Sequence, residues 1–201
     1  LIEDGSDVIV RRWLDNDFYV LNFNTNYNDE RLNFISGISY SKYTGDHFGE
    51  VIWGSNLASG VSFGDRYYFS DAKKTDLSIF SKATYEINKK VAAYLDLQGR
   101  FVSYKTAGLT SNRNPLDVDA KFNFFNPKAG FTYKIAAQNR VYLSYARANR
   151  EANRNDFENG VSSPEILDDI ELGWRYKSDQ IQLNTNIYYM RYKNQLVLTG
   201  A

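Results

Sequence analysis

Four tyrosines occupy equivalent places in this sequence, and their positions constrain the fold more than any other feature. Each closes a segment of alternating apolar and polar residues, just before a short polar turn: Tyr27, Tyr85, Tyr133 and Tyr176. After each turn the alternation resumes, as in the two strands of a β-hairpin. A phenol ring is stable at a bilayer boundary, with its body in hydrocarbon and its hydroxyl among the headgroups. The repeated position therefore predicts a tyrosine girdle at one membrane interface of a transmembrane β-sheet.

The alternation extends through most of the chain. In the first hairpin Tyr19, Leu21 and Phe23 share one side of a strand, and Asn22 and Asn24 share the other. Most such segments reach ten residues or more, which matches the roughly 9–11 residues of a membrane-spanning strand better than the roughly 5–6 of a globular one. We also expect a separate strand at 7–14 and another that begins at Gln195.

Connection lengths give a second indication. Short polar turns are expected near 28–31, 88–90, 136–139 and 177–180, and long loops at about 44–74, 106–119 and 149–167. Strict short–long alternation is typical of outer-membrane barrels, which have short periplasmic turns and long extracellular loops. It places the four tyrosines at the periplasmic interface and assigns Tyr40, Tyr145 and Tyr189 to the opposite girdle.

Composition excludes several classes of function. Lys+Arg and Asp+Glu balance at 24 each, which argues against a nucleic-acid-binding surface. No cysteine is present and His47 is the single histidine, so a catalytic triad or a multi-histidine metal site is excluded within these 201 residues. We therefore predict no enzymatic activity, no catalytic residues, no metal ligands and no cofactor.

Several segments resemble TonB-dependent outer-membrane receptors, particularly those of Bacteroidetes-like bacteria. The resemblance keeps the family's order along nearly the whole chain, at residues 12–19, 45–53, 124–133, 142–151, 167–176 and 188–200. It implies a barrel of about 22 strands around an N-terminal plug. Such receptors sit in the bacterial outer membrane and import ferric siderophores, haem, cobalamin or glycans, driven by TonB acting near the receptor's N-terminus.

The fold class that follows is all-β, an antiparallel up-and-down meander that supplies about 8–10 strands of the larger barrel. Residues 1–201 are expected to form a partial β-barrel domain, with the plug, the TonB box and the C-terminal strands lying outside the chain. The expected partners are outer-membrane lipid, TonB through the N-terminal region, and a small-molecule or chelate cargo.

Candidate ligand contacts fall in two of the expected extracellular loops. The 44–74 loop combines aromatic rings with cationic or polar groups that suit an aromatic or anionic chelate: His47, Trp53, Arg66, Tyr67 and Tyr68. The alternative is that these side chains pack the loop on the barrel rim or extend the strands above the membrane.

The second candidate is the arginine series Arg147, Arg150 and Arg154, which could form a basic collar for an anionic solute. Salt bridges to carboxylates such as Glu151 and Asp156 would explain these arginines equally well. Two alternatives to an active receptor stay open at this point. One is a passive porin-like barrel, and the other is a soluble β-sandwich that binds glycans.

Overall fold

A computed structural model describes residues 7–195, which form one eight-stranded antiparallel sheet in the order β1-β2-β3-β4-β5-β6-β7-β8. The strands are β1 (Val8–Asn28), β2 (Leu32–Gly54), β3 (Arg66–Glu86), β4 (Val91–Leu109), β5 (Pro115–Lys134), β6 (Asn139–Arg150), β7 (Glu165–Lys177) and β8 (Gln182–Lys193). A short helix, α1 (Arg154–Glu158), lies between β6 and β7. The predicted up-and-down meander is confirmed, and within residues 7–195 the sheet is open, because β8 and β1 do not pair.

The strands are longer than the sequence indicated. The expected separate strand at 7–14 is wrong, because β1 continues without a break from Val8. The loops expected at 44–74, 106–119 and 149–167 shrink to 55–65, 110–114 and 151–164. Beyond the apolar segments, both faces carry polar residues, so the hydrophobic periodicity is lost. The hydrogen-bond ladder between the backbones nevertheless continues. The strand expected from Gln195 onward lies outside the described residues.

The register divides every strand between two faces. Residues paired across strands share a face, so each hydrogen-bonded row of the sheet can be followed from strand to strand. We call apolar face the one that carries the row Tyr27, Phe34, Ala83, Leu95, Ala129, Tyr145, Ile170 and Tyr189. The opposite, polar face carries the row that contains Lys82, Asp96, Lys128, Ala146 and Asp169.

The four tyrosines predicted to form a girdle all lie on the apolar face, but not in one row. Relative to the row of Tyr27, the offset grows to two residues at Tyr85, four at Tyr133 and six at Tyr176. This is a stagger of one residue per strand. With a rise of about 3.4 Å per residue and about 4.8 Å between strands, it corresponds to a strand tilt of about 35°. Transmembrane barrels tilt their strands by about 35–45°, so a line through the four tyrosines runs perpendicular to the axis of such a barrel.

The apolar face has no second sheet against it. Leu21 is 70% exposed, Leu95 48%, Phe131 58% and Leu183 48%. A β-sandwich would bury these side chains between two sheets, so the sandwich alternative is wrong for the described residues. No helix among residues 7–195 has the length and apolar character needed to cross a membrane.

Candidate functional site

The connection between β6 and β7 is the main feature of the polar face. Residues 151–164, here called the strap, fold back from β6 across β5 and β4 as far as β3. Arg154 of the strap donates a hydrogen bond through Nη2 to the hydroxyl of Ser70 on β3, at 3.0 Å. The strap therefore covers the end of this face nearest the 55–65 and 110–114 connections, rather than extending away from the sheet.

An ion-pair network anchors the start of the strap. Glu151 accepts hydrogen bonds from Lys74 Nζ at 2.6 Å and from Arg100 Nη1 at 2.7 Å. Arg100 also binds Asp76, with 2.5 Å between Nη2 and Oδ2. Burial alone would raise the pKa of Glu151, but the hydrogen bonds from Arg100 and Lys74 outweigh it and lower this pKa from 4.5 to about 2. Glu151 is thus a buried carboxylate held ionised by two cations.

Apolar contacts continue the attachment along the strap. Ala152 packs into a buried cluster with Val102, Phe122 and Phe124, in which each member is at most 8% exposed. Phe157 of α1 packs against this cluster and stacks on Tyr104 of β4, with 5.8 Å between ring centroids. These aromatic residues belong to the polar face, so the strap creates the only buried hydrophobic cluster that we find within residues 7–195.

Local sequence explains why α1 begins where it does. Asn153 accepts a hydrogen bond from the backbone N–H of Asp156, and the Asp156 carboxylate accepts one from the backbone N–H of Asn153. This reciprocal capping box satisfies two amide donors at the start of the helix. Arg150 of β6 reaches Asp156 at 3.4 Å and Glu165 at 3.1 Å, and so links α1 and the start of β7 to β6.

A cavity of about 190 Å³ lies between the strap and strands β2–β4. It is lined by Tyr43, His47, Ala72, Lys74, Tyr104, Glu151, Ala152, Asn153 and Arg154. His47 Nε2 lies 3.1 Å from the hydroxyl of Tyr43. Burial and the nearby Arg154 guanidinium lower the pKa of His47, so the imidazole is neutral near pH 7. Arg154 Nη1 is buried, with no hydrogen-bond partner among the described residues.

The other candidates from the 44–74 region lie closer to the 55–65 connection than the cavity does. Tyr68 is 7% exposed and packs edge-to-face on Tyr67, with centroids 4.9 Å apart. Both rings lie over Gly49, where any β-carbon would collide with them. Trp53, opposite Ile9 near the end of β2, is 46% exposed. Most of these residues extend strands, which agrees with the alternative noted for this segment.

Two predicted ligand contacts belong to the apolar side of the sheet instead. The Arg66 guanidinium lies 3.8 Å from the centroid of the Phe48 ring, and Phe48 shares its row with Trp13 and Phe69. Arg147 lies on the face of Tyr145 and pairs with Asp168 at 2.7 Å. The structure therefore brings His47 and Arg154 together at the cavity. Tyr68 and Arg150 lie elsewhere on the same face, and Arg66 and Arg147 lie on the opposite side of the sheet.

The arginine series does not form one collar. Arg147 and Arg150 lie on opposite faces of β6, as their odd spacing in a strand requires. Each of the three arginines has a carboxylate partner: Asp168 for Arg147, Asp156 and Glu165 for Arg150, and Glu158 for Arg154. Sequence reasoning did not connect Lys74, Asp76 or Tyr104 with this site, although the parity of β3 and β4 places all three on the polar face.

Comparison with known proteins gives a consistent result. Residues 4–201 match the family model described as TonB dependent receptor-like, beta-barrel. The ferric-catecholate import receptor Fiu from K12 E. coli is 15% identical at a TM-score of 0.63, covering 90% of this chain and 32% of that one. The siderophore receptor PiuA from Acinetobacter baumannii is 18% identical at 0.65, covering 88% and 32%.

The ferric yersiniabactin uptake receptor FyuA from Yersinia pestis is 16% identical at a TM-score of 0.60, covering 96% of this chain and 31% of that one. No curated protein sequence matches the chain. These identities show a shared fold, and the chain spans about a third of the length of the three receptors.

Proposed function

The chain belongs to the TonB-dependent receptor β-barrel family, and we propose that it forms part of the wall of an outer-membrane receptor that imports a scarce nutrient. In this proposal the apolar face contacts lipid and the polar face lines the path of the cargo. TonB drives transport by acting on parts of the receptor outside residues 1–201. The observation that carries the proposal is one sheet with an exposed apolar face and a strap-covered polar face, in a chain whose residues 4–201 match that family.

We propose an iron chelate as the cargo, ahead of haem, cobalamin or a glycan. The three similar receptors named above are described as taking up ferric catecholate, ferric yersiniabactin or a siderophore. The chemistry of the polar face supports an anionic cargo with flat rings. Arg154 offers an unpartnered guanidinium nitrogen, and Tyr43 and Tyr104 offer rings beside it at the cavity.

Burial favours the neutral form of these phenols. It raises the pKa of Tyr43 and of Tyr104, so both remain protonated near pH 7 and can donate hydrogen bonds. A cargo that presents oxygen acceptors would therefore meet phenol hydroxyls together with the cations Lys74 and Arg154. A neutral glycan would gain no ionic contact from Arg154.

Binding to the full-length receptor in detergent tests the cargo. We expect ferric catecholate to bind at least about tenfold more tightly than haem, cobalamin or a neutral oligosaccharide. Arg154→Gln should weaken that binding about tenfold, which is the scale of one charged hydrogen bond. Arg66→Gln, on the other side of the sheet, is the matched control and should leave it unchanged. Equal effects of the two substitutions would contradict a cargo path on the polar face.

Uptake into whole cells separates an active receptor from a passive porin-like barrel. A TonB-dependent receptor should stop importing its chelate when an uncoupler collapses the proton-motive force. A porin-like barrel should continue to equilibrate small solutes under the same treatment. Uptake insensitive to the uncoupler would favour the passive alternative.

A further inference from the structure

Four exposed lysines form a patch on the apolar side of the sheet, just beyond the band of apolar side chains. They lie on four consecutive strands, as Lys42, Lys73, Lys105 and Lys121. Lys73 and Lys105 are direct cross-strand partners on β3 and β4. Lys42 and Lys121 lie in the adjacent row, which reads Lys42, Thr75, Ser103 and Lys121. We call these four side chains the lysine patch.

The patch is not neutralised by the chain itself. Like charges directly opposite each other on neighbouring strands are destabilising, so the Lys73–Lys105 pair is unfavourable on its own. Among the described residues, only Lys105 has a carboxylate within salt-bridge distance, Asp119 at 2.6 Å. That pair is itself exposed and therefore weak. The arrangement is best explained by an anion that lies over Lys73 and its neighbours.

The surface on either side of the patch indicates what kind of anion fits. The next row of this face toward the tyrosine girdle contains Tyr40, Leu77 and Phe101, where the apolar band begins. The next row in the other direction contains Asp46 and Asp71, which would repel an anion placed any farther out. An occupant must therefore place negative charge at the lysines and hydrocarbon along the rings beside them.

We infer that the lysine patch binds the phosphate groups of a phosphorylated lipid, in the leaflet on the side of the 55–65 and 110–114 connections. The inference rests on the proposed placement of the apolar face in lipid. The lysine ammonium groups and the hydroxyls of Thr75 and Ser103 would contact the phosphates, while the acyl chains lie along Leu77 and Phe101. A free phosphate ion would gain nothing from these apolar neighbours, so the amphiphile is the better match.

Native mass spectrometry of the full-length receptor, released from detergent, tests this directly. The probes are lipid A, which carries two phosphate groups, and the same lipid after enzymatic dephosphorylation. We expect lipid A to bind about tenfold more tightly than the dephosphorylated form. The double variant K73Q/K105Q should lose about tenfold or more of that affinity, since each lysine near an anionic surface contributes about a factor of five. Equal binding of the two lipids would overturn the inference.

A matched control uses lysines of the polar face. K82Q/K128Q removes the same amount of charge from β3 and β5, but on the polar face, away from lipid. It should leave lipid A binding unchanged. Inorganic phosphate at millimolar concentration should not displace lipid A. Displacement would show a free-phosphate site instead, and an equal loss in both double variants would show a nonspecific charge effect; either result overturns the inference.

Failure of the lysine patch to bind lipid can be distinguished from failure of the proposed function. The K73Q/K105Q receptor should bind and import its chelate as the unsubstituted protein does, because the lysine patch lies on the other side of the sheet. Loss of lipid preference with intact import would affect only the lysine patch. Failure of the unsubstituted receptor to insert into bilayers would remove both proposals together.

Discussion

The two faces of β3, β4 and β5 are stabilised in different ways. On the polar face, Lys74, Asp76 and Arg100 are partly or largely buried beneath the strap and paired with each other or with Glu151. On the apolar face, Phe101 and Phe131 are 46% and 58% exposed and contact no second layer. A water-soluble sheet reverses this arrangement, with its apolar side chains inside. The polar interactions of this chain are internal, whereas its apolar surface depends on its surroundings.

Charge placed on the apolar face should have the largest effect on this contrast. Leu97 lies on that face of β4, near the middle of the apolar band, and the adjacent Gln98 lies on the polar face. Leu97→Arg should cost about 2–4 kcal/mol of folding free energy in bilayers, because a guanidinium would enter hydrocarbon. Gln98→Arg is the neighbouring control and should cost less than half as much. Urea unfolding of the full-length receptor in vesicles measures both, and equal costs would argue against lipid on this face.

The strap gives the next largest effect. Glu151→Gln removes the charge that Lys74 and Arg100 share, and breaking a buried ion pair costs about 3 kcal/mol. We expect hydrogen exchange of residues 151–160 to increase strongly while the amides of β4 remain protected. Glu158→Gln is the control, because its partly exposed pair with Arg154 is worth less than about 1 kcal/mol. Unchanged exchange in Glu151→Gln would show that the network does not hold the strap.

Low pH should loosen the strap, but to a smaller extent than Glu151→Gln does. The pKa of Glu151 is lowered from 4.5 to about 2 in the folded protein, so its stabilisation is complete above about pH 4.5. It is lost progressively as the pH falls toward 2, because the carboxyl then becomes protonated. A spin label at the exposed Asn155 should gain mobility over this range. The same label in Glu151→Gln should be mobile at every pH, and a pH-independent label in the unsubstituted protein would contradict the assignment.

The girdle tyrosines should contribute least individually. Tyr133→Phe removes only the hydroxyl that would reach the headgroups, and we expect a loss of less than about 1 kcal/mol in vesicles. In detergent micelles, which have no fixed interface, the same substitution should be neutral. A clear loss in micelles would indicate that the hydroxyl acts within the protein instead of at a membrane boundary.

Hydrophobic alternation predicted the sheet only as far as the apolar band extends. Along β3 it identified Leu77 to Ile87 but not the stretch from Arg66 to Lys74, where aromatic and charged residues occur on both faces and the alternation is lost. That stretch is held by its backbone ladder with β2 and β4. Turn positions were predicted within two residues, because short polar turns interrupt an otherwise regular pattern.

The candidate site was less accessible to sequence reasoning. Glu151 and Lys74 are separated by 77 residues, and no local pattern predicts that the strap folds back over three strands. The parity of β6 did hold usable information. Since Tyr145 was assigned outward, Arg147 must share its face and Arg150 must not.

Accessibility along β3 tests the central claim most directly. The chain has no cysteine, so single cysteines from Leu77 to Tyr85 can carry spin labels in the full-length receptor reconstituted in bilayers. We expect labels at Ile79, Ala83 and Tyr85 to collide preferentially with oxygen dissolved in the lipid. Labels at Ser78, Lys82 and Thr84 should collide preferentially with a water-soluble nickel complex. A period of two residues with this phase supports a lipid-facing apolar surface, and the absence of alternation or the reverse phase would contradict it.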